Sequence, residues 1–246
     1  EAAYAAGDLS GAQRHANEAL RLARDVGTRL GARNVLGKLL LAKGQWAEAE
    51  AHFAADELDA SSAGERAARL RARLNRAIAI LSSGRNDEAQ WMLEAVLSEG
   101  ESLGENRAIA FALSNLAVLA ILRHDYAEAL RCSERSIEIR RKLGDKIGLA
   151  RAIINLAELR LRLGLVAEAE QALAFARLTM GPGMPASRIT EAALVAGHIH
   201  LARGRTVEAA HELSRALSHV VSTSDGEKVS ECHRLGARIA LEDGDV

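Results

Sequence analysis

Small and aliphatic residues recur in this chain at positions 40 residues apart, and polar residues fill the positions between them. Two columns consist of small residues, namely Ala32, Ala72, Ala112, Ala152 and Ala192, and Gly37, Ala77, Ala117, Ala157, Gly197 and Ala237. Two more columns are mostly aliphatic, namely Leu39, Ala79, Leu119, Leu159, Ile199 and Ile239, and Leu41, Leu81, Ile121, Leu161, Leu201 and Leu241. At about 100° per residue these columns cover one broad arc of a helix. The pattern predicts a series of helices that pack closely through their small residues.

A turn segment follows each of these helices at the same spacing. Its copies begin at Gly44, Gly84, His124, Gly164 and Gly204, and each ends on an alanine. A glycine there supplies the left-handed conformation that a helix end needs, and His124 is expected to adopt it with slight strain. Gly64, Gly104 and Gly144 mark the other turn of the unit. We predict first helices at 29–43, 65–83, 106–123, 146–163, 187–203 and 227–243, with second helices between them.

The repeat also sets the domain organisation. One helix pair cannot bury its apolar columns on both sides, so successive pairs must stack into a solenoid. We predict a single array over residues 1–246, with a partial repeat at 1–27, full repeats at 28–64, 65–104, 105–144, 145–184 and 185–225, and a partial repeat at 226–246. Because the chain starts with Glu1 and both ends fall inside a repeat, we interpret it as a piece excised from a longer protein.

The unit resembles the tetratricopeptide repeat, in which a Gly-x-[Tyr/Trp]-x-Glu-Ala turn follows a first helix that carries a small residue. Trp46 and Tyr126 match the aromatic position, although Arg76 stands where the family usually has leucine. The small position is matched by Ala77, Ala117 and Ala157. The 40-residue period and the turn at 142–145 are more similar to the arrays of kinesin light chains, LGN-type adaptors and bacterial signalling regulators. The resemblance implies an all-α, right-handed α-α superhelix of antiparallel helix pairs; HEAT and armadillo arrays, the alternative, lack this turn.

Composition and charge then exclude several classes of protein. The chain has 32 basic and 33 acidic side chains, so we expect no binding to nucleic acid or to a membrane surface. Cys132 and Cys232 show no metal-ligand or disulfide pattern, which is typical of reduced cytosolic thiols. No apolar run of about 18 residues and no leader pattern occurs, so we expect a cytoplasmic protein without a membrane span.

No pattern of an enzyme occurs in the sequence. Phosphate loops, dinucleotide fingerprints, zinc-protease and nucleophile-elbow motifs are all absent. His198 and His200 are two residues apart and point to different faces of a helix, so a metal site there is the lesser alternative even with other histidines nearby. We predict a non-catalytic protein with no metal and no cofactor.

A polar and apolar stripe lies opposite the packed arc of each first helix. It reads Arg71, Asn75, Ile78 and Ser82 in one unit, Phe111, Asn115, Val118 and Leu122 in the next, and Arg151, Asn155, Glu158 and Arg162 in the third. The resemblance implies that the stripe is the floor of a concave groove, and that Asn75, Asn115 and Asn155 hold the backbone of a ligand. An amide offers the donor and the acceptor that complement a peptide group. The alternative is that these asparagines bond one another or helix carbonyls between adjacent units.

Two further features of the stripe indicate a partner. The stripe predicts an exposed apolar patch of Phe111, Ile78, Val118 and Leu122, unless a curled superhelix or a terminal extension covers it. Arginines crowd residues 66–76 and recur at Arg151 and Arg162, which favours an acidic or phosphorylated segment, unless they form a solvated helix face. The predicted contacts are Arg71, Asn75, Phe111, Asn115, Arg151, Asn155, Glu158 and Arg162.

The sequence therefore predicts a module that binds an extended protein or peptide segment within a larger, bacterial signalling or transcription regulator. One alternative is a small-ligand sensor similar to MalT-type regulators, although Phe111 is the one aromatic residue on the stripe. Another alternative is a scaffold that self-associates through its open ends.

Overall fold

The computed structural model describes residues 8–220 and 226–244, and over this range the chain consists of helices joined by short connections. The first helices of the repeats are α2 (Val26–Ala42), α4 (Arg66–Ser82), α6 (Asn106–Leu122), α8 (Lys146–Arg162), α10 (Ala186–Ala202) and α12 (Gly226–Asp243). The second helices are α1 (Leu9–Leu22), α3 (Trp46–Ser62), α5 (Asn86–Leu103), α7 (Tyr126–Leu143), α9 (Val166–Thr179) and α11 (Thr206–Val220). The predicted first helices are confirmed within one residue at each end, except that α2 begins three residues early. It does so because the Asp25 carboxylate accepts the Thr28 N–H at 2.7 Å and caps the helix.

The helices cluster into two compact units, Glu1–Ile139 and Arg140–Val246. In the first unit, consecutive helices from α1 to α6 pack on one another, and α4 also contacts both α2 and α6. In the second unit, consecutive helices from α8 to α12 pack on one another, and α10 also contacts both α8 and α12. The predicted all-α stacking of helix pairs is confirmed inside each unit, whereas the single array over 1–246 stays a prediction.

The turns after the first helices share one hydrogen-bond pattern. At the end of α2, Gly44 (φ +73°) donates its N–H to the Leu41 carbonyl at 3.0 Å, and the next N–H reaches back to Leu40 at 3.0 Å. This six-to-one and five-to-two pair satisfies the last helix carbonyls. His124 adopts the same conformation with φ +60°, and its Nδ1 lies 3.0 Å from the Tyr126 hydroxyl. The predicted left-handed histidine is confirmed, with a ring contact that the sequence did not indicate.

The small columns permit close helix packing. Ala77 and Ala157 are fully buried, and Ala117 is nearly so. Packing is closer still at Gly37 of α2, because a Cβ at this position would lie 2.5 Å from Cε1 of the fully buried Phe53 ring of α3. The columns therefore set the distance between helices, and the stripe opposite them is left for other contacts.

Candidate partner-binding faces of the first helices

The three asparagines of the stripe occupy three different environments. Asn75 is 6% exposed, and its amide nitrogen donates to Oδ1 of Asn34 on α2 at 2.6 Å. Asn115 is half-buried and donates to the Phe111 carbonyl of its own helix at 2.8 Å. Asn155 is exposed, and it makes no hydrogen bond to another residue in the described part of the chain. Asn75 therefore bonds to a neighbouring helix, which is close to the alternative interpretation given above. Of the three asparagines, Asn155 is the one whose amide no described residue engages.

The burial of Asn75 follows from its column. The equivalent residues Val35 and Val195 are 5% and 6% exposed, and Leu235 is fully buried. Asn75 contacts the neighbouring first helix through Asn34, and Leu235 lies against Gly197 of α10, whereas Val35 packs with Ala12 and Ala16 of the second helix α1. At these four copies the column is a helix–helix contact rather than the floor of a groove.

An exposed apolar triplet lies on α6. Phe111, Val118 and Leu122 are 38%, 40% and 55% exposed, while Ala112, Leu113 and Leu119 of the same helix are buried. Ile78 of α4, the fourth residue expected in this patch, is half-buried and packs against the core of its unit. We name Phe111, Val118 and Leu122 the α6 triplet. Its spacing puts the three side chains on one face of the helix.

Three of the arginines of α4, namely Arg69, Arg73 and Arg76, form interhelical ion pairs. Arg73 donates to Glu57 of α3 at 2.7 Å and to Glu99 of α5 at 2.9 Å, and Arg69 also pairs with Glu99. Arg76 lies 3.6 Å from Glu57. These side chains bridge the two second helices that flank α4, so they do not support an acidic ligand.

Arg71 differs from its neighbours on α4. It is half-buried and forms no ion pair with a described residue. Burial raises the pKa of the Asp56 carboxyl on α3, and the charges of Arg33 and, to a lesser degree, Arg71 oppose that rise. Arg71 therefore lies close to the buried Asp56 carboxylate of α3.

The second unit carries a group of mutually interacting charges on α8, α10 and α12, centred first on Glu191. Burial raises the pKa of the Glu191 carboxyl, while the positive charges of Arg188, Lys228 and Arg151 lower it. Glu191 forms an ion pair with Arg188 on its own helix, and Lys228 donates to Glu231 at 2.9 Å. Because charge effects fade with distance, one residue from each of three first helices lies near this carboxylate.

A second group of charged side chains surrounds His198 of α10. Burial lowers the pKa of its imidazole, and the nearby Arg238 of α12 lowers it further, whereas Glu158 and Glu231 raise it. Arg238 Nη1 lies 3.1 Å from His198 Nδ1. A guanidinium only donates, so Nδ1 must accept and the neutral ring carries its proton on Nε2.

We name the groups around Glu191 and His198 the charged face of the second unit. Its cations are Arg151, Arg162, Arg188, Lys228 and Arg238, and its carboxylates are Glu158, Glu191 and Glu231. Each carboxylate is paired with a cation of its own helix, including Glu158 with Arg162 at 2.7 Å. These groups have a formal excess of two positive charges, and the carboxylate of Glu227, which also acts on Lys228, reduces that excess to one.

The sequence reasoning identified only the α8 part of this face. Glu191 and Glu231 stand 40 and 80 residues after Arg151, and His198 and Arg238 stand at the same intervals after Glu158. Extending the stripe along the repeat would have found all four residues.

Other chemistry is limited in the described residues. Within residues 8–220 and 226–244, no group of three or more His, Cys, Asp or Glu side chains is placed to hold a metal ion. No helix in the ranges 8–220 and 226–244 combines the length and the apolar content that a bilayer crossing requires. Burial raises the pKa of the Cys132 thiol to about 12, and its hydrogen bond to Glu128 acts in the same direction.

Helix pairs that repeat every 40 residues and stack through small residues define a helical-repeat protein. Residues 108–174 match the family model described as Tetratricopeptide repeat. This match covers part of the chain, and it supports the resemblance to the tetratricopeptide repeat that the turn motif predicted.

Comparison with solved structures agrees with this assignment at the level of the fold. BtubC (BKLC) from P. vanneervenii has a TM-score of 0.66 and 21% identity, over 88% of this chain and 91% of that chain. A Podosopora anserina putative kinesin light chain with nearly identical TPR-like repeats has a TM-score of 0.57 and 21% identity, over 82% and 99%. A Rap protein complexed with Competence and Sporulation Factor has a TM-score of 0.67 and 14% identity, over 94% and 70%. No curated protein matches the sequence.

Proposed function

We propose that this chain is a non-catalytic module that binds an extended segment of a partner protein on the stripes of its first helices. The α6 triplet carries the proposal, because it leaves three large apolar side chains exposed on a helix whose other face is buried. Positions 111 and 122 are about 16 Å apart along a helix that rises 1.5 Å per residue. About five residues of an extended segment, at roughly 3.3 Å each, span that length.

The fold supports an interaction role in general. Stacked helix pairs form extended surfaces, and tetratricopeptide arrays use them to hold other proteins. The Rap protein of similar fold is complexed with Competence and Sporulation Factor. We extend the proposal to a bacterial signalling or transcription regulator as the setting in which such binding is read out; this part rests on fold analogy alone.

The small-ligand alternative has less support in the side chains. Phe111 is the one aromatic residue at a stripe position within the described residues, so a sugar would find little to stack on. A depression of about 370 Å³ between α2 and α3 is lined by Arg29, Arg33 and Asp59, and Arg33 is already paired with Asp59. Neither place offers the apolar enclosure typical of small-molecule sites.

A peptide-display experiment tests the proposal. A library of random twelve-residue peptides is panned against the chain, and selected peptides are measured by fluorescence anisotropy against the parent and the Leu122→Glu variant. We expect Leu122→Glu to weaken binding at least about tenfold, because it removes apolar burial and adds a charge that must be desolvated.

Leu58→Glu is the matched control, because Leu58 is 69% exposed and lies on the second helix α3 of the same unit. It should leave the affinity of the selected peptides unchanged. Equal affinities for the parent and Leu122→Glu, or equal losses in the two variants, would contradict binding at the α6 triplet.

A further inference from the structure

We propose that the charged face of the second unit binds an acidic segment of a protein partner, with Arg151, His198 and Arg238 as the groups that recognise its carboxylates. This inference rests on the proposed binding function and specifies the chemistry of the ligand. It assigns contacts on α10 and α12 in addition to those expected on α8.

The balance of donors and acceptors on the face carries the inference. Each of the three carboxylates is hydrogen-bonded to a cation of its own helix. Arg151 is exposed and forms no ion pair with a described residue. Arg238 is also exposed, and it contacts a neutral ring rather than a carboxylate. Arg151 and Arg238 are therefore cations without a carboxylate partner among the described residues, and a ligand that carries negative charge would complement them.

His198 adds a directed donor to this arrangement. Since its Nδ1 accepts from Arg238, its Nε2 carries the proton. This N–H makes no hydrogen bond to another residue within the described ranges, and neither does the exposed amide of Asn155. Carboxylate oxygens accept from guanidinium, imidazole and amide N–H groups alike, and charge-assisted bonds of this kind are the stronger ones.

The partial burial of the face favours an acidic segment over bulk anions. Glu191 and Arg188 expose only 16% and 17% of their side chains, so the surroundings of Arg151 are screened less by water than an open surface. The proposed recognition groups lie on three successive first helices, α8, α10 and α12, so a ligand with several carboxylates along its length would be able to contact all of them. A protein segment rich in aspartate and glutamate meets this requirement.

Anisotropy with defined peptides tests the inference on the full chain. The probes are three labelled ten-residue peptides in which glycine alternates with glutamate, glutamine or lysine. We expect the glutamate peptide to bind and the other two not to bind, and its affinity to fall as salt rises. Arg151→Gln and Arg238→Gln should each weaken its binding about three- to tenfold.

Arg215→Gln is the matched control, since it removes the same charge from the second helix α11, where Arg215 is 45% exposed. His198→Phe should weaken binding and His198→Gln, which keeps a donor and an acceptor, should weaken it less. Circular dichroism confirms that each variant is folded. The inference is overturned if the glutamine peptide binds as well as the glutamate peptide, or if Arg215→Gln weakens binding as much as Arg238→Gln.

The two proposals fail in different ways. If peptides selected on the α6 triplet bind and the glutamate peptide does not, only the acidic inference is wrong. If the glutamate peptide binds and is lost in Arg238→Gln while Leu122→Glu changes no selected peptide, the triplet is wrong and the charged face stands.

Discussion

Asn75→Ala tests the division of the asparagine column into a structural member and a surface member. The change removes a donor from a buried pair, because Asn75 and Asn34 are 6% and 3% exposed and are joined by a 2.6 Å hydrogen bond. Loss of a buried hydrogen-bond partner costs about 1–3 kcal/mol of unfolding free energy. For a chain of this size each kcal/mol lowers the melting temperature by roughly 2–4 °C, so we expect a decrease of about 2–12 °C.

Asn155→Ala is the matched control, since it makes the same substitution at an exposed copy of the same position. A surface change of this kind alters the unfolding free energy by less than about 0.5 kcal/mol. Thermal unfolding followed by far-UV circular dichroism compares the two variants. A double-mutant cycle with Asn34→Ala should show a coupling of at least about 0.5 kcal/mol. Equal melting temperatures for Asn75→Ala and Asn155→Ala, or an additive cycle, would refute the reasoning.

Two further predictions concern packing and pH. Gly37→Ala should destabilise the chain by about 1–3 kcal/mol, since its Cβ would meet the buried Phe53 ring, whereas Gly31→Ala in the same helix meets no atom within 4 Å and should stabilise it by up to about 1 kcal/mol. Thermal unfolding of the two variants measures both effects. If both melting temperatures shifted in the same direction relative to the parent, the packing argument would be contradicted. Burial, with Arg238, lowers the pKa of His198 from 6.5, so the unfolded chain binds the proton more readily than the native one. The free energy of unfolding should therefore decrease as pH falls from about 7 through 6.5 toward the lower native pKa. Denaturant titrations at several pH values should show a smaller decrease for His198→Gln than for the parent. An identical dependence on pH in the two proteins would contradict this role of His198.

The helices and turns were predictable because local rules determine them. A glycine at the end of α2 or α8 needs only its own helix to satisfy the last carbonyls, and the same pattern recurs at 40-residue spacing. His124 obeys the same rule without being a glycine. The missed start of α2 is also local, since the Asp25 cap could have been recognised from its position three residues before Thr28.

The environment of the asparagines was not predictable from the repeat. Comparison at a fixed period aligns Asn75 with Val35, but its hydrogen-bond partner is Asn34, 41 residues away. Arg73 of α4 pairs with carboxylates 16 and 26 residues away, and these separations do not match the repeat period either. Such pairs depend on how neighbouring helices are rotated and spaced, and the volumes of buried side chains set that geometry.

The charged face follows the repeat more closely than the asparagine column does. Its member on α12, Arg238, stands 40 residues after the histidine that it contacts, so the repeat period itself joins the pair. The same column carries Ile78 and Val118 in the first unit and Glu158, His198 and Arg238 in the second. On α4 and α6 this column is therefore apolar, whereas Lys38 on α2 and the three copies in the second unit are charged or polar. Because apolar burial and charge pairing respond oppositely to salt, raising the salt concentration should weaken ligands of the charged face and spare those of the α6 triplet.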